Sequence, residues 1–117
     1  MIVFVYGSLK RDKKLHYFLK NAKFLGEAIT CSPYPLFLSK SKWYPYLLDK
    51  NDGFKIKGEV YKIDYSTLKK LDRLEEVPFY YYRKTICVKL NNKTLKAWVY
   101  FKRKKVKFLK KELLKEF

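Results

Sequence analysis

Val3-Phe4-Val5-Tyr6-Gly7-Ser8-Leu9 runs an apolar strand into a glycine, and the reading of the fold starts at that junction. Ile2 to Tyr6 are all β-branched or aromatic, as in a short strand buried on both faces. Gly7 permits a sharp turn, because it has no Cβ to forbid positive φ. From Lys13 onward Leu15, Phe18 and Leu19 recur at helical spacing, so the unit predicted is strand, tight turn, helix. The amides of Gly7, Ser8 and Leu9 are then left without ladder partners above the strand end. Such donors form a nest suited to a carboxylate or a developing oxyanion.

Outward from that unit, Lys23 to Ile29 reads as a second strand, with Gly26 marking a bulge or a close backbone approach. Between Cys31 and Tyr46, Pro33, Pro35 and Pro45 alternate with Tyr34, Phe37, Trp43, Tyr44 and Tyr46. Prolines at that density exclude a long central strand or helix. Short extended pieces are expected, their aromatics folding over one end of the core as a ligand-pocket wall or as plain packing. Asn51-Asp52-Gly53 is a turn signal. Ile56 to Ile63 is a strand in which Gly58 predicts a bend. Asp64 or Ser66 caps a helix whose Leu68, Leu71 and Leu74 form one apolar stripe, and Pro78 stops it. Tyr80–Leu90 and Thr94–Phe101 form a hairpin about Asn91-Asn92. Val106, Leu109, Leu113 and Phe117 predict an amphipathic C-terminal helix.

With 117 residues and no linker or repeat, residues 1–117 are read as a single domain. Hydrophobic residues at 48% are enough to bury a core. Eleven tyrosines point to an interior lined in part by phenol groups. No run of eighteen apolar residues and no signal-peptide order is present, so a soluble, cytoplasmic protein without a membrane partner is expected. Lys and Arg number 28 against 11 Asp and Glu, a formal charge of +17. Weak non-specific nucleic-acid binding follows from that charge. The cations are dispersed lysines, however, and only Lys102-Arg103-Lys104-Lys105 is a tight cluster. No element concentrates the Arg, Asn and Gln that read bases. Cys31 and Cys87 lack metal spacing and are read as buried thiols. His16 is the only histidine. It is placed facing outward, and histidine triads and multi-histidine metal sites are excluded.

Acid–base chemistry is concentrated in Leu71-Asp72-Arg73-Leu74-Glu75-Glu76-Val77-Pro78-Phe79-Tyr80-Tyr81-Tyr82-Arg83. Glu75 stands four residues past Leu71, close to the buried stripe and facing Val77, Pro78 and Phe79. Desolvation there raises the proton affinity of a carboxylate. Such a group takes a proton from one atom and returns it to another near neutral pH. A helix-end glutamate paired with Lys or Arg is the plainer reading of the same residue. Glu76 beside it adds a second carboxylate whose crowding would act in the same direction.

Tyr6-Gly7-Ser8-Leu9 resembles the Tyr-Gly-(Ser/Thr)-Leu loop of the gamma-glutamylcyclotransferase-like family, which includes gamma-glutamylamine cyclotransferase. Leu71-Asp72, Glu75, Pro78, Tyr81 and Arg83 resemble its L-D-x-x-E-G-x-P-x-x-Y-x-R segment, with the spacing kept. Val99-Tyr100 is similar to its last core strand, and Glu76 departs from the family's usual glycine. The resemblance implies an α+β fold, a small mixed β-barrel of about five to seven strands with two or three flanking helices. It implies release of 5-oxoproline from a gamma-glutamyl amine or amino acid, with no metal or other cofactor. The small-molecule gamma-glutamyl compound is then the partner, and the oligomeric state is left open. Glu75 becomes the general base and then acid, and Tyr6, Gly7, Ser8 and Leu9 the substrate cradle. Tyr81, Arg83 and Tyr100 are further candidates, with Arg83 assigned either to a substrate carboxylate or to a salt bridge with Asp72. The competing class is a non-catalytic module binding a small ligand, a polyanion or nucleic acid on the same fold.

Overall fold

The structure is a computed structural model that describes residues 1–117. Seven strands form: β1 (Ile2–Val5), β2 (Lys23–Tyr34), β3 (Leu36–Leu38), β4 (Pro45–Leu47), β5 (Phe54–Lys62), β6 (Tyr81–Leu90) and β7 (Lys93–Lys102). The one α-helix, α1, spans Tyr65–Leu74, and single 3-10 turns lie at His16–Leu19 and Lys110–Glu112. Five strands close into a barrel in the order β1-β5-β2-β6-β7, while β3 and β4 pair as a separate ribbon. The barrel is mixed. All of its pairings are antiparallel except the seam, where β1 meets β7 in parallel at Val3 and Trp98.

Alternation along the strands sorts two cores. Phe4, Val60, Ile86, Val88, Val99 and Phe101 point into the barrel. Val3, Val5, Tyr61 and Tyr100 point outward and are covered by Leu68 and Leu71 of α1 and by Leu19. The opening strand is therefore buried on both faces, as its composition predicts. Asp64 caps α1, its carboxylate accepting from the Thr67 amide at 2.7 Å. The bulge at Gly26 is present as a register shift between Phe24 and Gly26, with φ at +146°. Gly58 serves a close approach rather than a bend. A Cβ there would lie 2.5 Å from both Phe4 Cζ and the Val5 carbonyl oxygen. Because Val5 O is backbone, it cannot swing aside. Gly58→Ala is expected to cost about 1–3 kcal/mol, read as a lower urea midpoint at unchanged slope.

Several expectations are corrected. Residues 106–117 form no helix. The tail is extended apart from its 3-10 turn, and it gives the Leu114 amide to Leu36 O and takes the Lys57 amide on Lys115 O, both at 2.8 Å. Free backbone groups on β3 and β5 thus capture the tail and override its helical periodicity. The helix expected after Lys13 contracts to the turn at His16–Leu19. β2 continues through Cys31 to Tyr34, accommodating Pro33 with a register shift after Ile29. His16 is half-buried, its Nδ1 lying 3.0 Å from Leu9 O. Cys31 and Cys87 are joined in a disulfide, not free thiols. Pairing of Ile29 with Lys89 and Thr30 with Val88 sets the two cysteines opposite each other, with Cα atoms 5.4 Å apart. No helix is long and apolar enough to cross a membrane.

Candidate active site

At the C-terminal end of β1 a cavity of about 320 Å³ opens beneath the β3–β4 ribbon. Its floor is Tyr6, Gly7, Ser8 and Leu9; Glu75, Tyr81 and Tyr100 line it from the helix end and from β6 and β7. Trp43, Tyr44 and Pro45 close the remaining side. Of the aromatic segment between Pro33 and Tyr46, Trp43 and Tyr44 line the cavity, while Tyr34 packs on Phe101 and Phe37 on Phe108.

The amides of Gly7, Ser8 and Leu9 donate to no acceptor in the chain, although Gly7 O and Ser8 O accept from Lys10 and Leu15 at 3.0 and 2.9 Å. Turning carbonyls outward in this way leaves the three N–H groups for a ligand. Ser8 Oγ is likewise buried without a partner. An unpaired buried hydroxyl is costly and is normally satisfied by something the site holds. Gly7 does not take the positive φ that its sequence context predicts, since Gly26 and Gly53 are the only glycines that do. Its requirement is steric: a Cβ would sit 3.0 Å from Cδ and Cγ of Pro45.

Glu75 is the C-cap of α1, its amide bonded to Leu71 O at 2.9 Å. The chain is turned there by Glu76, whose φ of 51° is left-handed, a position that favours glycine. This turn, two residues before Pro78, is what ends the helix, and it directs Glu75 into the cavity while Glu76 stands exposed at the rim. Glu75 makes no ion pair or side-chain hydrogen bond with the rest of the chain. Burial pushes its pKa from the ordinary 4.5 to about 7. Desolvation is the whole cause, and crowding by Glu76 does not contribute.

Besides Tyr44 in the wall, the cavity tyrosines Tyr6, Tyr81 and Tyr100 are used differently. Tyr6 OH donates to Tyr100 O at 2.6 Å, tying β1 to β7 where their ladder has one register pair. Tyr100 OH donates to Asp72 at 2.7 Å. Tyr81 OH has no partner within the chain, and burial, then the Glu75 charge, push its pKa up. Arg83 does not reach the cavity. It grips Asp72 with Nε and a terminal nitrogen at 2.7 and 3.0 Å and lies 4.3 Å over the Trp98 ring. Of its two assignments the salt bridge holds.

Asp72 thus fixes both Arg83 and Tyr100. Burial raises its pKa, but the hydrogen bonds from Arg83 and Tyr100 outweigh this and hold it below the usual value. A depressed carboxylate adds stability above its unfolded pKa and loses it as pH falls through the folded one. Asp72→Ala is expected to cost about 1–3 kcal/mol at neutral pH. The loss should shrink as pH falls from about 4, the unfolded value, down through the lower folded pKa at which the wild-type group protonates, as read from urea midpoints across pH.

The chain as a whole matches known proteins. Residues 3–116 fit the family described as "Gamma-glutamyl cyclotransferase, AIG2-like". The Methanocaldococcus jannaschii protein MJ1514, by name a gamma-glutamylcyclotransferase candidate, is 41% identical over 101 residues, 85% of this chain and 82% of that one. Gamma-glutamylaminecyclotransferase A of Danio rerio is 36% identical over 107 residues, 84% of this chain and 66% of that one. The crystal structure of an AIG2-like protein from Mus musculus superposes with a TM-score of 0.86 at 25% identity, over 99% of this chain and 86% of that one.

Proposed function

The chain belongs to the AIG2-like gamma-glutamyl cyclotransferase family, and on that premise we propose that it cyclises a gamma-glutamyl amine or gamma-glutamyl amino acid to 5-oxoproline. One observation carries the reading: the unpaired Glu75 carboxyl, its pKa pushed up to about 7 by burial, shares a cavity with unpaired backbone donors.

Glu75 in its carboxylate form removes a proton from the substrate's α-ammonium. The freed amine attacks the γ-carbonyl carbon, forming the ring C–N bond and moving the carbonyl π electrons onto oxygen. As the oxyanion collapses, the bond to the leaving nitrogen breaks and that nitrogen takes the proton from Glu75. The ring nitrogen gives up its remaining extra proton to the released amine, which departs as an ammonium ion and leaves the neutral lactam. The carboxylate is regenerated, so one residue serves as proton acceptor and then donor. The amides of Gly7, Ser8 and Leu9, with Ser8 Oγ, supply donors to the oxyanion or the substrate's α-carboxylate. Tyr81 OH, unlike the hydroxyls of Tyr6 and Tyr100, is free to donate beside Glu75. Trp43, Tyr44 and Pro45 hold the flexible glutamyl chain folded, which removes the main entropic obstacle to ring closure.

Incubation with gamma-glutamyl-ε-lysine and with gamma-glutamyl dipeptides, followed by chromatography for 5-oxoproline, tests the reading. Release of 5-oxoproline with a stoichiometric amine is expected. Turnover of neither class by folded protein would refute it.

A further inference from the structure

The second large concavity lies on another face and has a different chemistry. A groove of about 1000 Å³ runs between the chain after β7 and the loop after β4. Lys50, Lys102, Arg103, Lys105, Lys107 and Lys110 line it. None of these six takes part in a salt bridge. The groove's three carboxylates are already engaged. Asp49 holds Lys84 and Tyr82 OH at 3.0 Å each, Asp52 accepts the Gly53 amide at 2.7 Å, and Glu112 accepts the Leu109 amide at 2.7 Å. Five of the six cations lie within residues 102–110, around the cluster visible in the sequence, and the fold brings Lys50 to them from the loop after β4, so cations outnumber carboxylates along the groove.

Exposed aromatic rings lie beside these cations. The Arg103 amide bonds Tyr80 O at 2.9 Å, and Lys102 Nζ lies 5.2 Å from the Tyr80 ring. Tyr80 is 55% and Phe79 81% exposed, too much for rings serving only as packing. A row of cations without carboxylate partners, beside solvent-exposed aromatic rings, tracks a phosphate backbone and stacks bases without reading their edges. An acidic peptide or an anionic lipid would use the charge alone.

We propose that this groove binds single-stranded nucleic acid, independently of the cavity at Glu75. The backbone follows Lys102 to Lys110 and a base stacks on Tyr80.

Fluorescence anisotropy with a short labelled oligo(U) RNA, read as a function of salt, tests the proposal. Each phosphate contact contributes about −0.7 to the slope of log affinity against log salt. Lys105→Gln, Lys107→Gln and Lys110→Gln combined should flatten the slope by about 2 and weaken binding about ten-fold. The same loss of charge at exposed Lys20, Lys70 and Lys96 should leave both nearly unchanged. Tyr80→Ala should weaken oligo(U) about five-fold or more and leave duplex binding unaltered. Cyclotransferase activity should be wild-type in every variant. Equal losses from the two triple variants would overturn the proposal, because charge without a groove would then explain binding. Equal affinity for oligoglutamate would assign the groove to an acidic protein, and equal affinity for phosphatidylserine vesicles to a membrane; each overturns it.

Discussion

Glu75→Gln is expected to lower kcat/KM for 5-oxoproline release by about 10²–10⁴-fold while leaving the protein folded and more stable. Glutamine keeps the shape of the side chain and cannot carry a proton between the α-nitrogen and the leaving nitrogen. The wild-type pH profile should show its rising limb near pH 7, where burial has placed the Glu75 pKa, because the carboxylate form begins the reaction. The stability effect has the opposite sign to that of Asp72. A carboxyl whose folded pKa is raised binds protons more tightly when folded, so stability falls as pH climbs from about 4.5 to about 7 and stays reduced above that. Relieving the buried charge should stabilise Glu75→Gln by on the order of 2–3 kcal/mol above pH 7, with no gain below about pH 4. Denaturant midpoints at the two pH values, alongside the rates, distinguish a proton carrier from a structural carboxylate. Wild-type activity in Glu75→Gln together with loss in Glu76→Gln would move the role to the rim.

Much of this site is legible because local sequence is enough to place it. Strand β1 declares itself by five consecutive β-branched or aromatic residues, and the helix by the stripe of Leu68, Leu71 and Leu74. Counting along that stripe finds Glu75. The features that stay hidden depend on pairings distant in sequence. Nothing near Val106 or Leu113 announces that Leu36 O and Lys57 N will take the tail's hydrogen bonds. Tertiary partners decide such marginal segments, and propensity does not. Cys31 and Cys87, 56 residues apart, meet only through the β2–β6 register. Arg83 is ambiguous for a related reason. Its spacing from Asp72 is visible, but whether it turns to that residue or to the cavity depends on Trp98, whose ring supports the guanidinium from another strand. Glu76 shows the converse case. Its left-handed backbone explains in hindsight why glycine suits that position, and the sequence shows the substitution without showing its cause.

Gly7→Ala should reduce kcat/KM by on the order of ten- to a thousand-fold, and Gly7→Val by more. The new Cβ meets Cδ and Cγ of Pro45 at 3.0 Å, and a pyrrolidine ring cannot rotate away. Relief must come from moving the β3–β4 ribbon off the cavity or from tilting the Gly7 peptide. The first course carries Trp43 and Tyr44 outward with Pro45, so the glutamyl chain is held less firmly and KM rises. The second re-aims the amides of Ser8 and Leu9, so donors miss the oxyanion and kcat falls. The split between the two parameters therefore reports which element gives way. Neither course touches Glu75, whose rising pH limb near 7 should persist in both variants. Retention of wild-type kcat and KM in Gly7→Val would mean that the nest does not face the reacting atoms. The donors would then have to be sought on Tyr81 and the ribbon instead.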